Sequence, residues 1–363
     1  MNFIIDGHED LAFESLAHNR DTTQSVAKIR QAEPQNRDNQ VTLGWPEMQK
    51  GNVALIFSTL FAEPPAHWEF PKRTGINFET AEEFHQAMQI QLDFYERWQE
   101  QHPDKFKLIP DYQTLSTHID LWQDDQAQAE ESTRPVGLIP LLEGAEELRS
   151  FADLDEYYER GLRIVGPVWA GGRWCGGTYS PNTMRFTPEG KQLLEILAEK
   201  KFILDLSHMN TISANEAMDS YQGVVIASHC NCRALLRNQE NERQFTDETI
   251  AHLVDRDGVA GVIPFNDFLD GNWDKGQPRE RVTLDNLAQH IDHICQIAGN
   301  AEHVAIGSDL DGGFGYPNIP LEMNDVSDLK KLEQILQQRG YTEEDIRKIF
   351  HGNWLRVLKR GLP

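Results

Sequence analysis

The chain has 363 residues, with 34 Lys or Arg against 58 Asp or Glu, a formal net charge of −24. Hydrophobic residues make up 39% and charged residues 25%, a globular composition rather than a disordered or fibrous one. The acidic balance excludes nucleic acid and anionic membrane as partners, because both demand basic patches. It is compatible with cation binding, although solubility is the ordinary reason for such charge.

Short apolar runs bounded by turn residues recur along the chain. Eight read as strands: Phe3–Asp6, Val53–Leu60, Val136–Leu142, Leu162–Val168, Phe202–Leu206, Val224–Ser228, Val259–Ile263 and Val304–Gly307. Most are continuous rather than alternating, as in strands buried on both faces of a parallel sheet. Helical patterns lie between them. In Thr80–Gln101, the residues Phe84, Ala87, Met88, Gln91, Tyr95 and Trp98 share one face. Thr187-Pro188 opens a second helix, with Thr187 as N-cap and Pro188 at the first helical position. Thr246 and Thr283 head further helices. Thr342 begins the last, which is expected to bury Ile346, Ile349, Phe350 and Leu355. Eight strand–helix units over this length predict an α/β fold, a single (β/α)8 TIM barrel spanning 1–363 with a helical insertion around 61–135. The polar stretch Asp124–Arg134 reads as a surface loop.

The first residues lack the basic and apolar regions of a signal peptide, and no run approaches the roughly 20 apolar residues of a membrane helix. Cys175, Cys230, Cys232 and Cys295 match no zinc ribbon or redox pair. The expectation is a cytoplasmic protein with reduced thiols.

Barrel chemistry sits where strands end, on the C-terminal face. Five of the candidate strands deliver His8, Asp10, Glu143, His208, His229 and Asp309 to that rim. Each alone means little: with 13 His and 58 acids, a His followed two residues later by an acid is expected about twice by chance. Their joint placement is informative. Imidazole and carboxylate together suit Zn²⁺ or a similar divalent ion. Six ligands are too many for one tetrahedral zinc and right for two. Glu143, lying between the His8/Asp10 pair and the His208/His229 pair in strand order, can bridge two cations with its two oxygens. Two cations roughly 3.5 Å apart can share a hydroxide, polarise a substrate oxygen and make a nucleophile at neutral pH.

The segments Asp6-Gly7-His8-Glu9-Asp10-Leu11, Glu143-Gly144, Asp205-Leu206-Ser207-His208, Ser228-His229-Cys230-Asn231-Cys232-Arg233-Ala234 and Gly307-Ser308-Asp309-Leu310-Asp311-Gly312 resemble the membrane (renal) dipeptidase family of the amidohydrolase superfamily, in the family's order. The resemblance implies a metal-dependent amidohydrolase barrel with a binuclear zinc centre. His8, Asp10 and Asp309 would bind one ion, His208 and His229 the other, and Glu143 would bridge. Asp309 would take a proton from the attacking hydroxide or water and give it to the leaving amine. Arg243, in Arg243-Gln244-Phe245-Thr246-Asp247, would hold the substrate carboxylate, with Arg233 and Arg237 as rivals. The implied reaction is hydrolysis of dipeptides, including those with a D-residue on the C-terminal side, by a homodimer.

One departure stands out. The family's His after the fourth strand is missing: no His occurs between His118 and His208, and Trp169 takes its place. Losing such an electrostatic stabiliser costs roughly 10²- to 10³-fold in rate. Trp169, through its indole N–H, or Arg173 could substitute. Alternatively the Gly-rich loop selects another small amide, a lactam or an N-acyl amino acid. That loop lacks the Lys-Ser/Thr of a P-loop and is not read as a phosphate cradle. A non-catalytic binding protein would have no need of six ligands. Trp68, Phe70, Trp169, Trp174 and Phe265 are candidate pocket aromatics. Asp311 is expected to order its loop. His85, His102, His252, His290 and His293 are expected to face solvent or cap helices.

Overall fold

The computed structural model describes residues 3–33, 40–64, 76–123, 133–236, 242–273 and 277–363. Its strands are β1 (Ile4–Glu9), β2 (Val53–Leu60), β3 (Phe106–Leu108), β4 (Val136–Glu143), β5 (Ile164–Gly166), β6 (Ile203–Asp205), β7 (Val225–Ile226), β8 (Ala260–Val262) and β9 (Val304–Ile306). β1, β2, β4, β5, β6 and β7 pair in that order, and β8 pairs with β9, all parallel. A bridge from Ala227 to Ala260 joins β7 to β8. The Asp309 amide donates to the His8 carbonyl at 3.0 Å and joins the end of β9 to β1. The ring of eight therefore closes, as a (β/α)8 barrel requires.

These eight strands are the eight apolar runs of the sequence. β3 is an addition, pairing Phe106 to Leu108 with Val136 to Leu138 along the N-terminal half of β4. Three residues with a Lys in the middle make no apolar run, so sequence pattern misses it. Between the strands, Thr80, Thr187, Thr246 and Thr342 each cap a helix, their hydroxyls accepting from the amides of Glu83, Gly190, Thr249 and Asp345. The helix Ala81–Gln101 buries the whole predicted face from Phe84 to Trp98. The last helical stretch buries Ile346, Ile349 and Phe350, whereas Leu355 is only half-buried. Two histidines differ from expectation. His85 is buried against the Tyr157 hydroxyl at 2.9 Å, and His290 is buried with its Nδ1 3.0 Å from the Cys232 amide. The four cysteines are free thiols. No helix among the described residues is long and apolar enough to cross a membrane.

Alternate side chains of each strand serve opposite faces of the curled sheet. Ile4, Val53, Ile56, Leu138, Leu142 and Leu204 pack under the helices. Ile5, Leu55, Phe57, Ile139, Leu141 and Ile226 pack with Trp354, Val357 and Leu358 of the last helix. Near this second cluster the backbones crowd. A Cβ at Gly307, Gly261 or Gly7 would lie 1.8, 2.1 or 2.6 Å from the same atom, the Ser228 carbonyl oxygen. Three strands thus reach van der Waals contact with a fourth only because they lack side chains there. Gly307→Ala is expected to lose about 3 kcal/mol, the upper end of overpacking costs. Urea unfolding checks this, with Gly352→Ala, where the nearest atom is 3.5 Å away, unfolding near the parent.

Candidate metal centre

Polar residues begin where the strands stop. β1 ends at His8-Glu9 and is followed by Asp10; β4 ends on Glu143; His208, His229 and Asp309 each lie three residues beyond β6, β7 and β9. The barrel therefore brings all six predicted ligands together, each buried. Glu143 Oε1 lies 3.0 Å from His208 Nε2, 3.4 Å from His229 Nε2 and 3.5 Å from His8 Nε2. His208 Nε2 and His229 Nε2 are 3.0 Å apart. On the other side, His8 Nε2 is 3.9 Å from Asp309 Oδ1. The donor atoms of His8, Glu143 and His229 fall within 4.8 Å of one another, and so do those of His8, Asp10 and Asp309. His208 and Asp309 hold left-handed backbone angles, φ 67° and 53°. Such strain costs about 1–3 kcal/mol per non-Gly residue and concentrates at functional sites.

The electrostatics are those of a cation site. Burial pushes the Asp10 carboxyl up to about 7, and Glu143 beside it adds to the shift. Burial likewise raises Asp309 well above the usual carboxylate range, with Asp10 and Glu143 contributing. Burial would raise Glu143 too, but the His8 charge and the imidazoles crowded on the carboxylate hold it well below its usual value. At His8, burial favours the neutral ring, and the surrounding carboxylates overturn that and hold it at about 9. Burial and the Arg243 charge lower His208 to about 4. Burial also lowers His229, helped by His8 and Arg243. Yet His8 Nε2, fully buried, has no hydrogen-bond partner among the described residues. An orphaned imidazole nitrogen among three carboxylates fits a divalent cation.

Carboxylates behind the candidate ligands fix their aim. Asp6 Oδ1 accepts from the amides of Ser308 at 2.7 Å and His8 at 3.3 Å. Asp205 Oδ1 accepts from the amides of Ser207 at 3.1 Å and Ser228 at 2.8 Å. Thr178 Oγ1 lies 3.4 Å from His208 Nδ1. Sequence pattern alone gives these residues no functional role. The signal that could find Asp6 and Asp205 is an acid two or three positions before a strand-end His.

A cleft of about 500 Å³ opens over the ligands. Phe61, Trp169 and Tyr179 line one wall, and Phe265, Phe268 and Phe314 another. Trp169 sits at the centre, its ring 5.6 Å from that of His208, 5.3 Å from Phe61 and 5.6 Å from Tyr179. Glu146 Oε1 anchors its loop by accepting from the amides of Trp169 at 2.6 Å and Ala170 at 2.9 Å. Arg173 corrects the expectation placed on it. Its guanidinium stacks 3.9 Å over Trp174 and donates to the Leu148 carbonyl and Glu189, away from the cleft. Trp174 itself is core, with Nε1 donating to the Ala145 carbonyl. Arg243 lines the cleft, with both terminal nitrogens donating to the His229 carbonyl at 3.1 Å. Arg233 is half-buried and pairs with Glu242. Asp311 accepts from the Thr42 and Leu43 amides, ordering its loop as expected. Trp68, Phe70, Arg237 and most of the Asp124–Arg134 loop lie outside the described residues.

A closed barrel with histidines and acids gathered at its C-terminal rim defines a metal-dependent hydrolase. Residues 2–361 match the profile of the membrane dipeptidase family (peptidase family M19), and the chain belongs to that family. It is similar to dipeptidase AC, a metallo peptidase of family M19, with 25% identity, a TM-score of 0.78 and 99% of each chain covered. It is also similar to a metallo peptidase from Rhodobacter sphaeroides, liganded with a phosphinate mimic of the dipeptide L-Ala-D-Ala, with 24% identity, a TM-score of 0.77, and 99% and 100% covered. An uncharacterized protein in the pqqA 5′ region of Klebsiella pneumoniae is 34% identical over 216 residues, 57% of this chain and 75% of that protein. The chain is a metallodipeptidase-type hydrolase.

A cation bound at His8 would have to displace the proton that the carboxylates keep there up to about pH 9. Cation affinity of the chelated protein is therefore expected to fall as pH drops below 9. Calorimetry at pH 7 in buffers of different ionisation enthalpy should show about one proton or more released per chain on zinc uptake.

Proposed function

We propose that the protein hydrolyses dipeptides, including those with a D-residue on the C-terminal side, with two zinc ions held by His8, Asp10, Glu143, His208, His229 and Asp309. The observation that carries this reading is the convergence of three imidazole Nε2 atoms on one oxygen of Glu143, with Asp10 and Asp309 beside them. When bound, the ions supply Lewis acidity and bring the pKa of water to about 7. The chain's own residues do the rest. Glu143 bridges the two half-sites. Arg243 presents its planar fork to the substrate's terminal carboxylate and orients the scissile bond. Asp309 accepts the proton of the water whose oxygen bonds to the carbonyl carbon. It returns that proton to the amine nitrogen as the C–N bond breaks. Trp169, packed on His208, keeps bulk water from that side of the cleft.

Metal reconstitution followed by a screen of L-L and L-D dipeptides tests the reading; turnover of none of them removes the dipeptidase assignment. Arg243→Ala is expected to lower kcat/KM roughly 10- to 100-fold, as for a lost charge-assisted hydrogen bond. Arg173→Ala should leave it unchanged. Trp169 in place of the family's His favours one second reading, hydrolysis of a small amide, lactam or N-acyl amino acid. A carboxylate-free amide cleaved faster than any dipeptide, with no loss on Arg243→Ala, would establish it.

A further inference from the structure

Ser228 stands behind both halves of the centre, wholly buried. Its Oγ lies 2.8 Å from His229 Nδ1 and 3.3 Å from His8 Nδ1. It also hydrogen-bonds Asp205 Oδ2 and lies 3.2 Å from Ser207 Oγ. A hydroxyl has one proton to give and two lone pairs to receive with. The protons can be counted. Asp205 Oδ1 accepts from the Ser207 amide, the Ser207 hydroxyl at 2.8 Å and the Ser228 amide. Asp205 therefore acts as an acceptor, and the Ser228 proton goes to its Oδ2. The Ser207 proton is committed to Asp205 and has nothing for Ser228. Both Ser228 lone pairs are left facing imidazole nitrogens.

We propose that Ser228 is a positioning residue that accepts Nδ1–H from His8 and His229 at once, so that one hydroxyl, aimed by Asp205, fixes the tautomer of an imidazole in each half of the centre. Both rings then present Nε2 toward Glu143 Oε1, the His229 atom as a lone pair and the His8 atom as one once its second proton leaves. His208 is held separately, through Thr178. The proposal rests on reading His8 and His229 as ligands. It predicts that one side chain governs two ions it does not touch, because outer hydrogen-bond partners orient ligating imidazoles.

The test is long-range ¹H–¹⁵N correlation on ¹⁵N-histidine protein, metal-free and zinc-loaded, with zinc affinity measured by chelator competition. In the wild-type protein, both rings should carry Nδ1–H. Ser228→Ala should remove both protected Nδ1–H signals and weaken both zinc sites about 10- to 100-fold. Asp205→Asn gives a sharper outcome. Three donors already bind the Oδ1 position, so the new amide nitrogen must face Ser228. The hydroxyl then turns its proton toward one imidazole, and one of the two Nδ1–H signals disappears. Thr178→Ala should leave both. Either ring carrying Nε2–H without Nδ1–H in the wild-type protein overturns the proposal, and this reading needs no folded variant. So does Ser228→Ala with both signals and its zinc affinity intact. Wild-type protein that takes up no zinc would instead refute the metal centre, while the metal-free spectrum still decides the role of Ser228.

Discussion

Oxygen Oε1 of Glu143 is the point on which the upper end of the barrel converges, and the cost of burying that carboxylate shapes what surrounds it. Three imidazoles reach it from three strand ends, and two more buried carboxylates stand close by. Carboxylates so enclosed repel one another and lose their hydration, which is why burial drives Asp10 and Asp309 upward. Removing one member of such a set leaves the others without compensation, at about 3–5 kcal/mol. The arrangement makes sense only if positive charge completes it. The proton on His8 is the smallest such charge, and a divalent cation is the larger one the donor set suits.

Fixing so many polar groups at once requires a rigid support. Asp6 and Asp205 supply it from opposite sides, each tying a ligand-bearing strand end to a neighbour through backbone amides. The glycines at 7, 261 and 307 let the strands come close enough for those bonds to form. Ligand placement is thus a property of backbone spacing in the barrel, expressed through hydrogen bonds of ordinary length.

The cluster of candidate ligands was legible because each member follows an apolar run at the one end of a barrel where chemistry collects. The strand ring was legible for the same reason, its members being continuous and apolar. What escaped was set by distant partners. Arg173 lies in a Gly-rich loop whose direction depends on Glu146 gripping the amides of Trp169 and Ala170, and nothing local in the sequence encodes that grip. His85 and His290 sit in helical patterns, but buried partners take their rings inward. Asp6, Asp205 and Ser228 looked like the ends of strands. Their work is visible only once strands far apart in sequence stand side by side.

The crowding at Gly307, Gly261 and Gly7 has a consequence for traffic. Below the ligands the strands touch, and Trp354 fills the space beside Gly7. Among the described residues the chamber is thus closed at this end, and the aromatic walls of the cleft stand at the other. A small molecule therefore cannot pass through the barrel along its axis, and substrate and products share the end that carries the polar cluster.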